Sequence, residues 1–407
     1  MMRIASSLIA EGADVRYLTS SSWARDSVTQ RTARLDILAN SAFAGNLRRR
    51  ALPELIRPRN VVGLARRKEV QVQLKMRGDR PRLQPALAAR NRQFQSDSVR
   101  YTARAKNLEC VVGQYTASRE IFESLGPRVT KVLNYPIAHH RWLMTAMQEE
   151  AVRNPKWSHL LQGHDFSPEQ LEALDREIEL ADHILVPSSF AVRTFLESGV
   201  PPEKLVMFPL GCASPDEFSV SDIESAVREK RALRVIYAGQ VTQRKGIGYL
   251  LEAIAGLEGV QLQVVGTAGV QARTALSAYD NVEYIESQPR RNLYQLLQKA
   301  DVLALPSLAE GFGLVALEAM ANGTPCILSR NTFAADVVDD GRNGFILDDV
   351  SIEAIQSLIT KIGGDPESLE RIGAAAAQTA REYSWDRFGA GVARWVLSVV
   401  AERRDRQ

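Results

Sequence analysis

Two carboxylates and two cations are the side chains in this 407-residue sequence best placed to do chemistry. The carboxylates are Glu310 and Glu318, with seven residues between them in Glu310-Gly311-Phe312-Gly313-Leu314-Val315-Ala316-Leu317-Glu318. Glycines at 311 and 313 let the backbone approach a ligand, and a helix starting behind them offers free N–H groups to an anion. Glu310 in the loop can accept hydrogen bonds from sugar hydroxyls. Glu318 lies beside the apolar stripe Leu314, Leu317 and Ala321, where a carboxylate is costly unless partnered. Two ribose hydroxyls would serve. On spacing alone, a capping Glu310 and a backbone-bonded Glu318 explain these residues at least as well. The cations are Arg244 and Lys245, in Gly239-Gln240-Val241-Thr242-Gln243-Arg244-Lys245-Gly246. This is not a Walker loop. It does supply fixed positive charge of the kind that stabilises a departing diphosphate. A basic surface loop is the plainer alternative.

Both segments need the same scaffold. Leu233–Ala238, Val260–Val265, Val282–Ile285, Asp301–Leu305 and Cys326–Leu328 are short continuous apolar runs, expected of parallel strands covered on both faces. Helical spacing over Gly248–Leu257, Asn292–Lys299 and Leu314–Ala321 alternates with them, which predicts a parallel sheet with crossover helices. In an open sheet of this kind ligands bind beyond the carboxyl ends of the strands, where both loops lie. Helices are expected over Ile352–Ile362, Leu369–Arg381 and Phe388–Val400. The first half alternates less clearly. Strands are expected at Val15–Leu18, Val129–Leu133, His183–Val186 and Leu205–Phe208, with helices at Leu171–Leu180 and Phe190–Ser198. Residues 46–106 are weakly periodic and their elements cannot be placed. Pro209 to Phe218 reads as the interdomain linker.

The length predicts two domains. No uncharged apolar run reaches the ~18 residues of a membrane span, and no secretory leader is visible. Cys110, Cys212 and Cys326 form no zinc or disulfide spacing, so a cytoplasmic setting is expected. The net charge of +3 hides an asymmetry: residues 1–110 hold 22 of the 51 Lys+Arg and 9 of the 48 Asp+Glu. The basic residues include Arg48, Arg49, Arg50, Arg57, Arg59, Arg66, Arg67, Lys68, Lys75, Arg77, Arg80 and Arg82. Such a field suits an anionic partner, foremost a membrane surface or phosphorylated acceptor; a solvated surface explains it equally well. Nucleic acid is disfavoured, because few aromatics stand among the arginines to stack on bases.

The Glu-Gly-Phe-Gly-Leu-x-x-Leu-Glu stretch, followed by Ala319-Met320-Ala321-Asn322-Gly323-Thr324-Pro325-Cys326-Ile327, resembles the family-4 retaining glycosyltransferases. The resemblance extends through Gly239 with Arg244-Lys245-Gly246, Pro306-Ser307, Asp340–Phe345 and Glu177–Gly199, roughly residues 130–390. It implies an α/β GT-B architecture: two Rossmann-like doubly wound domains facing a cleft. An acceptor-side domain over 1–210 and a donor domain over 211–385 are expected, with a C-terminal helix, 386–407, packing back on the first. By the same resemblance Glu310 would contact the donor sugar, with Gly311, Phe312, Gly313 and Leu314 close to sugar and phosphate. Glu318 would hold the ribose, and Arg244 and Lys245, beside Gly239, would neutralise the diphosphate. Ile285 would lie near the nucleobase, and His139 or His140 would face the sugar across the cleft. Many family members carry an arginine directly after the glycine matched here by Gly239. This chain has Gln240, so Arg244 must serve instead.

The implied reaction is metal-independent transfer of a hexose-type sugar from a nucleotide-diphosphate sugar to a lipid-linked, polysaccharide or small-molecule acceptor. The donor is a substrate, so no cofactor and no metal site is expected. Peripheral attachment to the inner face of the plasma membrane would follow from the basic first domain. A catalytically silent nucleotide-sugar-binding protein, or a same-fold epimerase or hydrolase, remains the alternative. At the start, Ile4, Leu8 and Ile9 have helical spacing and Gly12 suits the C′ position. This resembles the end of a first helix rather than a first strand, so the first domain is expected to lack its first strand, with the true start upstream.

Overall fold

The computed structural model describes residues 1–19, 61–63, 83–213 and 232–406. The basic residues named between Arg48 and Arg82 lie outside them, as does the expected linker beyond Ala213. The chain opens with helix α1 (Met2–Ala10), strands β1 (Tyr17–Thr19) and β2 (Val61–Gly63), and helix α2 (Leu83–Thr102). Strand β3 (Cys110–Gln114), α3 (Arg119–Ser124), β4 (Thr130–Asn134) and α4 (His140–Arg153) follow. After a 3-10 turn at Pro155–Leu160 come α5 (Pro168–Leu180), β5 (His183–Val186), α6 (Ser189–Glu197) and β6 (Leu205–Met207).

The second half begins with β7 (Leu233–Ala238), a 3-10 turn at Gln243–Lys245 and α7 (Ile247–Ala255). It continues with β8 (Val260–Gly266), α8 (Val270–Leu276), β9 (Val282–Glu286) and α9 (Arg290–Lys299). Then come β10 (Val302–Leu305), α10 (Leu314–Ala321), β11 (Cys326–Ser329), α11 (Ala334–Val337) and β12 (Phe345–Leu347). Helices α12 (Ile352–Gly363), α13 (Pro366–Ala380) and α14 (Trp385–Asp405) close the chain.

All the strand pairings are parallel. The second-half sheet runs β12-β11-β10-β7-β8-β9. Counted within that half, this is the doubly wound order 3-2-1-4-5-6, and its direction of winding reverses between β7 and β10. The first-half sheet runs β3-β4-β5-β6, while β1 and β2 pair only with each other among the described residues. The central strands β10 and β11 are enclosed on both faces, with every residue buried, whereas the edge strand β9 has none buried. Burying each such Val, Leu or Ile is worth roughly 1.5–3 kcal/mol.

The expected N-terminal helix is present, with Ile4, Ala5 and Leu8 buried and Gly12 at φ +87° behind it. It packs on α14, where Ile4, Leu8, Val132, Leu185, Phe388, Val392, Ala393 and Val396 form one cluster. Helix α14 therefore returns to the first half's sheet. The chain passes between the halves twice, and the two crossings touch. Cys212 bridges Ser384, and its N–H donates to the Tyr383 carbonyl at 2.9 Å. Among the described residues no helix is long and apolar enough to cross a membrane.

Candidate functional site

The loops after β7 and β10 leave the sheet at the point where its winding reverses, and backbone hydrogen bonds hold them together. The Arg244 carbonyl accepts from Leu308 N–H at 2.9 Å and from Ala309 N–H at 3.4 Å. Gly246 sits at φ +75°, and a Cβ there would lie 1.9 Å from the Pro306 carbonyl oxygen. Only glycine permits both that conformation and that approach.

This contact brings the expected cations to the first glutamate. Lys245 Nζ is 2.5 Å from Glu310 Oε2, and Arg244 Nη1 is 3.3 Å from the same oxygen. Arg244 Nη1 also donates to the Ala309 carbonyl at 2.5 Å. Burial pushes the Glu310 carboxyl up, but Lys245 and then Arg244 outweigh it, so its pKa lies below the ordinary value. Among the described residues both cations hold Oε2, which leaves Oε1 to accept from a ligand. The Lys245 chain runs over Gly239, with Cε 3.5 Å from where a Cβ would stand. Gly313, at φ +97°, starts α10. Phe312 stacks on Phe333 at 4.6 Å and is buried, so it offers a ligand its backbone rather than its ring. Leu314 is half-buried at the first turn of α10.

Glu318 is buried, as its place beside the apolar stripe implies, but its partner is neither backbone nor an empty space. Arg290, the first residue of α9, donates to Oε1 through Nε at 3.0 Å and through Nη2. Arg290 follows β9 by a short loop, and Ile285 stands near the carboxyl end of that edge strand. Tyr294 lies one turn further along α9; burial, and then the Glu318 charge, push its phenol up.

The two histidines belong to a separate cluster on the first half. His139 caps α4, its Nδ1 accepting from Arg141 N–H at 3.2 Å. It stacks on His140 and meets Phe195 edge-on. His140 is fully enclosed, with Nδ1 3.0 Å from the Tyr135 hydroxyl and Nε2 2.9 Å from Asp175. Both of its nitrogens are engaged, so His140 braces the segment instead of facing a ligand, contrary to the sequence expectation. His139 retains an Nε2 with no hydrogen bond among the described residues. Burial, then the neighbouring His140, lower its pKa to about 3, so its ring is neutral at ordinary pH. His139, His140 and Asp175 are close enough to share a cation. Arg141, however, already grips both Asp175 oxygens, and an ion there would have to displace it.

The halves meet at the site itself. Ser188 Oγ donates to the Gly311 carbonyl at 2.6 Å, and Ser189 N–H to Asp336 at 2.9 Å. Arg193 Nη2 reaches Asn331 Oδ1 at 2.8 Å. A Cβ on Gly311 would lie 2.0 Å from the Pro136 carbonyl oxygen. The segment leading into the histidines therefore touches the loop that carries Glu310. Sequence reasoning missed Arg290 and these cross-half contacts; a cation just beyond the end of β9 was the available signal for Arg290.

Residues 221–379 match the family model described as glycosyl transferases group 1, less than half of the chain. This upholds the resemblance drawn from the Glu310–Glu318 stretch. The chain is 31% identical over 208 residues to a D-inositol 3-phosphate glycosyltransferase of Segniliparus rotundus, covering 47% of this chain and 46% of the relative. It thus spans about half the length of the curated relatives it matches. Among solved structures, sucrose-phosphate synthase from Thermosynechococcus elongatus superposes with a TM-score of 0.67 at 19% identity, over 98% of this chain and 92% of that one. Anabaena HepE, solved with UDP-glucose, gives 0.55 at 18% identity over 75% and 82%. The architecture is the GT-B arrangement expected from the sequence.

Proposed function

We propose that the chain is a retaining glycosyltransferase that takes a hexose-type sugar from a nucleotide-diphosphate sugar and transfers it to a lipid-linked, polysaccharide or small-molecule hydroxyl. The observation that carries this reading is the meeting of Arg244, Lys245 and Glu310 where the sheet reverses its winding, with Glu318 on the helix behind. That place receives ligands in open parallel sheets. The Segniliparus relative named as a glycosyltransferase and the neighbour solved with UDP-glucose lend it further support.

In this mechanism Glu310 Oε1 accepts from sugar hydroxyls while Oε2 stays with the cations. Glu318 accepts from the ribose, sharing or releasing Arg290. The bond from the anomeric carbon to the phosphate oxygen breaks, and the bond to the acceptor oxygen forms on the same face. The acceptor's proton passes to the departing phosphate oxygen. Arg244 and Lys245 offset the charge that develops on the diphosphate, in a site with little water to screen it. The protein acts on the cytoplasmic side, with its basic first half drawn to an anionic membrane.

A thermal-shift panel of nucleoside diphosphates and nucleotide sugars tests the donor site, because a ligand that binds only the folded state raises the melting temperature. Transfer assays with the sugar donor that binds then test turnover. A shift with sugar transfer supports the proposal. Binding without turnover favours a silent binding protein, free-sugar release without an acceptor favours a hydrolase, and no shift with any member refutes the donor site.

A further inference from the structure

A buried carboxylate on the first half reaches the cation-bearing turn of the second. Glu150, near the end of α4, is 2% exposed. Its Oε1 accepts from Gln243 Nε2 at 2.7 Å, and its Oε2 accepts from the Tyr249 hydroxyl at 2.9 Å. Gln243 is wholly enclosed and is the first residue of the turn that ends in Arg244-Lys245. Its Oε1 accepts from Gly248 N–H at 3.0 Å, so both ends of the amide are committed and its orientation is set. The connection runs from α4 through Glu150 and Gln243 to the turn, and from Lys245 to Glu310. Tyr249, pushed up to about 12 by burial and then by Glu150, stays protonated as a donor.

The arrangement does more than fasten two surfaces. A separate contact at the same junction already does that: Glu252 holds Lys156 at 2.7 Å and Trp157 Nε1 at 2.8 Å, and the Trp157 ring lies against Gly248. That contact involves no residue of the cation turn. A buried carboxylate is costly to keep unless its acceptors are filled, and here they are filled by the turn and by α7, which the turn starts.

We propose that Glu150 is a positioning residue of the donor site. It orients the Gln243–Lys245 turn, so the cations reach diphosphate geometry only while α4 is docked on the second half. This rests on the donor-site reading above, and its consequence is that donor affinity depends on the Glu150–Gln243 contact in particular, not on contact between the halves in general.

Titration calorimetry with UDP and with GDP tests it on the full chain. Glu150→Ala should weaken the diphosphate that binds by roughly tenfold, a typical coupling for residues in one network, and Tyr249→Phe by less. In a double-mutant cycle, Glu150→Ala combined with Lys245→Ala should cost no more than Lys245→Ala alone. Glu252→Ala should lower the melting temperature and leave affinity unchanged. If Glu150→Ala does not fold, Glu150→Gln in the same cycle carries the test. Fully additive losses, or an equal loss in Glu252→Ala, overturn the inference and leave the donor site standing. Failure of the wild type to bind either diphosphate overturns both.

Discussion

Replacing Gly311 by alanine should pry the two halves apart. The added Cβ would lie 2.0 Å from the Pro136 oxygen and 2.6 Å from Ile137 Cα, and contacts under 3.0 Å essentially never occur. Both neighbours are backbone, so no side chain can swing aside. Gly311 does not occupy positive φ, so the effect is steric and not conformational. Relief requires a separation of about 1 Å, which stretches the 2.6 Å Ser188–Gly311 bond past hydrogen-bonding range. Overpacking costs about 1–3 kcal/mol, and a lost buried hydrogen bond adds about 0.5–1.5 kcal/mol. At about 2.1 cal/mol/K of unfolding entropy per residue over the 407-residue chain, a total of roughly 2–4 kcal/mol corresponds to a melting temperature lower by roughly 2–5 °C. Scanning calorimetry reads the shift. Gly126→Ala is the control, since nothing lies within 4 Å of its Cβ position and its φ is not positive. If Gly311→Ala melts within about 1 °C of the wild type, with unchanged diphosphate affinity, the contact across the cleft does not constrain the molecule.

Four further outcomes are expected. His139→Asn keeps a capping side chain but removes a ring whose folded pKa is lowered to about 3 by burial and then by His140. The wild type must lose about 1.4 kcal/mol of stability per pH unit below about 6.5 from this ring, so the variant's stability should fall less steeply from pH 6.5 to 4.5; an unchanged slope refutes the assignment. Below pH 4.5 both proteins should lose the contribution of Glu310, whose pKa is held down by Lys245 and Arg244 against burial. Glu318→Ala should abolish the thermal shift from a bound nucleoside diphosphate, whereas Arg290→Ala should preserve or enlarge it; parallel losses would make Arg290 part of the nucleotide's own contacts. Sedimentation with vesicles should rise with anionic lipid and weaken with salt; indifference to both removes the membrane surface as a partner.

Most strands of the second half were legible because enclosed parallel strands carry continuous apolar runs, though Val270–Leu276, Ala334–Val337 and Phe345–Leu347 were not foreseen. Val302–Leu305 and Cys326–Ser329 are buried throughout, and Leu314–Ala321 has the boundaries its spacing predicts. Strand Cys110–Gln114 went unseen, since a glycine interrupts a run of five partly polar residues. Helix α4 was hidden behind Asn134-Tyr135-Pro136, although Leu143, Met147 and Glu150 fall on one buried face. Glu150 therefore went unnoticed, although it stands on a buried helical face as Glu318 does. The glutamate loop and its cations were readable as motifs, but their partners were not. Arg290 lies 28 residues before Glu318, and Gln243 lies 93 residues after Glu150. Such pairings are created by the stacking of elements and leave no local pattern.

The paired crossings limit how the cleft can move. A single flexible tether would let one half reorient freely about the other. Here Gly211-Cys212 runs against Tyr383-Ser384-Trp385, so closely that a Cβ on Gly211 would lie 2.2 Å from the Ser384 carbonyl carbon. Two adjacent covalent connections remove most independent torsions and leave bending about their common line as the soft coordinate. Displacement then grows with distance from that line, so a few degrees of flexure suffice to make or break contacts at the far side of the cleft. For the transferase proposed above, donor entry and product escape would share this coordinate, so one mechanical mode would govern both.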